Sequence, residues 1–166
     1  MEVHGGTPRV AEAEWLSAVD DLVRSARSSR AVHRPVLLLY LLGRAQRSEP
    51  REAEFVEIER GIKAALAALC SAKKPEPMLP FWHLQSSPLW EVLGGEATLN
   101  RESTARPTRK ALLQTKGALR SDWWNALVGN EGLIAKLGER VLEQTWSTDE
   151  ERVEAARLVG FKRGSI

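Results

Sequence analysis

At 166 residues, with 43% hydrophobic and 28% charged side chains, the chain has enough apolar content for one cored domain and the charge content of an ordinary water-soluble one. Its longest apolar run, Val36 to Leu42, falls far short of the ~18 residues a membrane span requires, and its start lacks the basic and apolar regions of a secretory signal. The single cysteine, Cys70, excludes an internal disulfide, and a cytoplasmic location is the expectation.

Residues 1–9 read as a flexible leader and residues 10–166 as one domain. From Val10, the apolar positions Trp15, Leu16, Val19, Leu22, Val23 and Ala26 recur at helical spacing. The pattern breaks over Arg27 to Arg34. Pro35 then suits the first turn of a second helix, where its missing N–H costs nothing. Val36 to Leu42 is apolar on every side, which predicts a central, buried helix with Gly43 near its end. Phe55, Ile58, Ile62, Leu66 and Leu69 mark a third helix, ended by Pro75 and Pro77. The texture then changes. Phe81 to Leu84 and Leu89 to Val92 are short aromatic runs about Gln85-Ser86-Ser87-Pro88, and they read as a small β-hairpin. Trp82 and Trp90 are expected in the core. Residues 96–108 are polar and basic and read as a loop. Helices resume after Arg109. Trp123-Trp124 is expected to split, one ring buried and one part-exposed. Thr148 and Glu151 form a capping box for a last helix ending near Gly160. The fold class expected is mainly α: a single compact helical domain with a small β-hairpin near residues 80–92.

The formal net charge is only +2, yet it is unevenly spread. Arg24, Arg27, Arg30, Arg34, Arg44 and Arg47 share one window without an acid. Arg101, Arg106, Arg109, Lys110, Lys116 and Arg120 share a second, opposed only by Glu102. The rest of the chain is therefore net acidic. Such a split suits a protein with one positive face for a polyanion, or simply two solvated helix faces. No Gly-rich phosphate loop, cysteine cluster or nucleophile elbow stands in the sequence. The three histidines, His4, His33 and His83, show no metal-binding spacing. No catalytic, metal or cofactor site is expected.

Two segments carry a resemblance. One is Arg30-Ala31-Val32-His33-Arg34-Pro35 running into Val36-Leu37-Leu38-Leu39-Tyr40. The other is Leu79-Pro80-Phe81-Trp82-His83-Leu84-Gln85, followed by Leu89-Trp90-Glu91-Val92. In order and spacing the pair resembles the sulfur-binding domain of phosphorothioate-dependent, McrA-type HNH restriction endonucleases, over roughly Val10 to Leu158. That resemblance implies a binding module rather than an enzyme, the reader part of a modification-dependent restriction system. Its implied partner is double-stranded DNA carrying phosphorothioate linkages. The HNH nuclease domain that relatives carry has no counterpart in these 166 residues.

By the same resemblance, His33, Leu79, Pro80 and His83 would line a shallow apolar pocket for the sulfur. Arg30, Arg34, Ser103, Thr104, Arg106 and Arg109 would meet bases and phosphates. The chain departs from relatives at Leu79, where many have an aromatic residue, and at His83, where some have a small one. The chemistry agrees with a sulfur pocket. Sulfur in place of a non-bridging oxygen is larger, more polarisable and a poorer hydrogen-bond acceptor. Pro80 has no N–H to offer and Leu79 is apolar. A charged oxygen pressed there would lose water without replacement. The alternative reading is a generic helical DNA-binding regulator that needs no sulfur pocket.

Overall fold

The computed structural model describes residues 9–29, 33–69, 76–94 and 108–163, with the backbone alone for 26–29. Residues 1–8 of the expected leader, Cys70, Arg30, Ser103, Thr104 and Arg106 lie outside the described residues. Within them are eight α-helices and three strands. These are α1 (Glu12–Ser29), α2 (His33–Gln46), β1 (Glu52–Glu54), α3 (Phe55–Leu69), α4 (Met78–His83), β2 (Trp90–Leu93), α5 (Arg109–Leu112), β3 (Lys116–Leu119), α6 (Ser121–Leu127), α7 (Glu131–Thr145) and α8 (Asp149–Val159). The expected α-rich class is what the chain adopts.

The axis of the molecule is α2. Every residue from Pro35 to Arg44 is buried, because α1, α3, α4, α7 and α8 all pack around it. A helix apolar on all sides has no other stable position. On one flank, Trp15 of α1 meets Trp123 of α6 edge-on at 5.1 Å, and its indole N–H donates to the Trp123 carbonyl at 3.0 Å. Trp124 stays partly exposed, as its pairing with Trp123 led us to expect. Arg140 of α7 forks onto Asp20 of α1 at 2.7 and 2.9 Å. At the far end, Thr148 and Glu151 close the expected capping box, and Gly160 ends α8 in the left-handed conformation, φ 72°.

The β element differs from the expectation. Pro80 to His83 is helical, the end of α4, followed by a 3-10 turn over Leu84–Ser86. Only Trp90–Leu93 is a strand, and its partner is distant in sequence. Central β3 pairs antiparallel with both neighbours in the order β1-β3-β2, with Glu91 opposite Ala118 and Ala53 opposite Gly117. The reason lies in the packing of three rings. Phe81 lies edge-on to Phe55 at 4.9 Å and to Trp90 at 5.7 Å. The Trp90 indole N–H donates to the Phe81 carbonyl at 2.7 Å. A two-stranded hairpin would leave these rings in water, whereas a helical turn lets Phe81 and Leu84 face inward together. Gly117 makes the room: a Cβ there would stand 2.3 Å from the Trp90 ring and 2.7 Å from Phe81. So the sheet serves as a platform on which α4 is pinned.

Candidate nucleic-acid interface

The two segments singled out in the sequence come together as the start of α2 and the whole of α4, which pack against each other. His33 is the first residue of α2 and Arg34 the second; both are half-buried. Burial pushes the His33 imidazole below its ordinary pKa, and the nearby Glu76 carboxylate partly opposes that shift. Glu76 was not among the residues the sequence brought forward. It sits between Pro75 and Pro77, a stretch that read only as a helix stop. Arg34 borders a cavity of about 240 Å³ with Asp21 and Ser25 of α1, and Ser86, Ser87 and Pro88 beyond α4.

Leu79, Pro80 and His83 all belong to α4, in a graded exposure. Pro80 is buried, Leu79 half-buried and His83 exposed. The start of this helix is unusual. A helix N-terminus ordinarily points several free amides at any anion that approaches. At α4, Pro77 in the capping position and Pro80 in the first turn have no N–H. The Leu79 N–H is already used, donating to the Glu76 carbonyl at 3.0 Å. Of the first three residues of α4, Met78 alone keeps an amide not already bonded within the described residues, so this end is poor in donors and rich in carbon.

The expected positive face needs revising. Arg44 is buried, 2% exposed, and tied to Glu49, to Glu57 and to the Pro50 carbonyl. Arg47 bonds Glu49 and the Gly160 carbonyl. Both lie at the C-terminal end of α2, roughly 15–20 Å along the helix from His33. Both are engaged in holding the fold together, and Arg44 is buried away from any ligand. Arg24 is exposed and paired with Asp21. Arg109 opens α5 and forks onto Glu59 of α3. Lys110, Lys116 and Arg120 are exposed.

A model of the ScoMcrA-like DNA sulfur-binding domain family matches residues 12–155. The chain belongs to the DNA sulfur-binding domain family. No curated protein matches it. Among solved structures, the sulfur-binding domain of ScoMcrA complexed with phosphorothioated DNA is similar at 23% identity and a TM-score of 0.63, over 77% of this chain and 86% of that one. The sulfur-binding domain of SprMcrA, also complexed with phosphorothioated DNA, is similar at 21% identity and a TM-score of 0.62, over 78% and 81%. The Type IV phosphorothioation-dependent restriction endonuclease ScoMcrA matches 96% of this chain at 22% identity and a TM-score of 0.72, with 30% of its own length covered. These likenesses establish a shared fold, and α2 and α4 of this sulfur-binding domain carry the residues that resemblance to the family had singled out. No helix among the described residues is long and apolar enough to cross a membrane.

Proposed function

We propose that this domain reads phosphorothioate-modified double-stranded DNA, with the start of α2 and the start of α4 as its contact surface and no catalytic role of its own. The observation that carries the reading is the donor-poor end of α4. Pro77 and Pro80 lack amides and the Leu79 amide is spent on Glu76. An ordinary phosphate oxygen placed there would shed water and find nothing in return. Sulfur is less strongly hydrated, so it loses less, and it gains dispersion contact with Leu79. Family membership supports the same reading, since similar domains have been solved with phosphorothioated DNA. His33, Leu79, Pro80 and His83 form the sulfur site. Arg34 supplies a charge-assisted contact to phosphate or to a guanine edge. Further base and phosphate contacts are assigned to Arg30, Ser103, Thr104 and Arg106 by the family resemblance alone.

The role is that of a reader in a restriction system, acting on DNA in the cytoplasm, with cleavage left to a separate nuclease domain. The test is a titration of purified protein against two duplexes of one sequence, with and without the sulfur. Tighter binding of the sulfur duplex and no cleavage with divalent metal are expected. Equal affinity for both would favour the generic regulator. Arg34→Ala should weaken binding to both duplexes and make its salt dependence shallower by about one ion.

A further inference from the structure

Three arginines among the described residues grip a carboxylate with two parallel hydrogen bonds. Arg140 on Asp20 joins α1 to α7, and Arg163 on Glu139 braces the tail of the chain against α7, with Asp149 taking a further N–H. The third joins a four-residue helix to a long one. Arg109, first residue of α5, donates from Nε and Nη2 to the two oxygens of Glu59, both at 2.7 Å. Glu59 lies in α3 and is only 17% exposed; Arg109 is 54% exposed. The Glu59 carboxyl is held below the usual range, first by the Arg109 hydrogen bonds and further by Lys63, so the pair stays charged at working pH.

A guanidinium has five N–H groups on three nitrogens. Glu59 occupies the edge formed by Nε and Nη2. The other edge, one N–H from each Nη, is a second parallel fork of the kind that fits two phosphate oxygens. A free arginine must give up side-chain freedom to present that fork. Arg109 has already given it up in the unbound protein. It also stands directly after the basic segment 101–107, which the proposed reading assigns to DNA contact.

We propose that Glu59 is a positioning residue for DNA binding: it clamps one edge of Arg109 so that the opposite edge is presented, already oriented, to a backbone phosphate. The inference rests on the reading of this domain as a DNA binder. In this arrangement Glu59 need touch no DNA itself; its carboxylate is taken up by Arg109.

The test separates orientation from charge. Glu59→Asp keeps the charge and withdraws the carboxylate by one methylene, beyond reach of the fork. Anisotropy titrations over a salt series would compare Glu59→Asp, Arg109→Ala and the double variant with the parent chain, each checked for an unchanged thermal melt. Arg109→Ala should weaken binding about three- to tenfold and lower the salt slope by about one. Glu59→Asp should weaken it by about threefold in the parent background and have no effect once Arg109 is absent, as coupled residues behave. An equal loss from Glu59→Asp in both backgrounds, or no loss at all, overturns the proposal. So does an Arg109→Ala variant with parental affinity and slope. A parent chain that binds DNA but ignores sulfur would instead remove the sulfur reading and leave this cycle interpretable.

Discussion

Replacing Pro80 by alanine adds one amide to a start of α4 that offers few. Pro80 is the third residue of α4. The carbonyl that the added N–H would seek within the helix, that of Glu76, already accepts from Leu79. As one of the first four amides of a helix, the new donor points off its start, toward whatever docks there. An N–H to a charged oxygen is worth roughly 1.5–3 kcal/mol, and less to sulfur, a weak acceptor. A net difference of about 1 kcal/mol lowers the preference for sulfur about fivefold. The fold loses something as well. Two buried methylenes contribute about 1.6 kcal/mol, and the freer unfolded chain about 0.4–1 kcal/mol more. The assay is fluorescence anisotropy with paired duplexes at one salt concentration, well below the lowered melting temperature. Affinity for the plain duplex should rise while that for the sulfur duplex stays near its starting value. If the ratio keeps its parental value in a folded variant, or if only sulfur binding is lost, the scarcity of donors is not what discriminates.

Leu79 is half-buried, so a polar side chain there can reach solvent. Leu79→Lys should improve plain-DNA binding relative to the sulfur duplex, and Leu79→Asp should weaken both; a parental ratio in the lysine variant would count against the site. His33 should link binding to pH. Its pKa is lowered by burial, with Glu76 in partial opposition, so the free protein holds it neutral at pH 7. A phosphate beside it favours the protonated form, so DNA binding takes up a proton and affinity rises as pH falls toward the lowered pKa of the free protein. The lowered pKa gives the opposite sign for stability of the free protein: the contribution is present above about 6.5 and is lost as pH drops through the folded value. Titrations from pH 7.5 to about 5.5 with His33→Gln as reference would read this, and identical profiles would refute it. Gly117→Ala forces a methyl to within 2.3 Å of the Trp90 ring. It should cost about 1–3 kcal/mol in urea unfolding and loosen α4 enough to weaken DNA binding.

Much of the architecture was legible because it rests on local periodicity. The buried α2 follows from an unbroken apolar run, and the α8 cap from Thr148 and Glu151. The sheet was not legible for a physical reason. β1 is Glu-Ala-Glu, with no strand preference of its own. β2 finds its partner far downstream, in Lys116–Leu119. Nothing local announces either pairing. The aromatic run at Phe81 looked strand-like because its residue types favour strands, but its buried positions, Phe81 and Leu84, are three apart, which is helical. The charge argument failed at Arg44 and Arg47, since a net-positive window cannot distinguish an arginine facing water from one facing Glu49 and Glu57. The candidate site was legible through family resemblance in two motifs. The amide economy at α4, and Glu59 behind Arg109, emerge only once distant carbonyls and carboxylates are placed in space.

The burial of α2 from Pro35 to Arg44 has a consequence for hydrogen exchange. Amides enclosed on all sides reach solvent only when the whole domain opens, so their deuterium uptake reports global unfolding. The N-terminal end of this same helix carries His33 and Arg34, where the DNA is proposed to bind. A ligand held there stabilises the native state by mass action, and the protection of α2 should rise uniformly along its length. Exchange in the middle of α2 would thus measure the affinity of a duplex that touches only its tip.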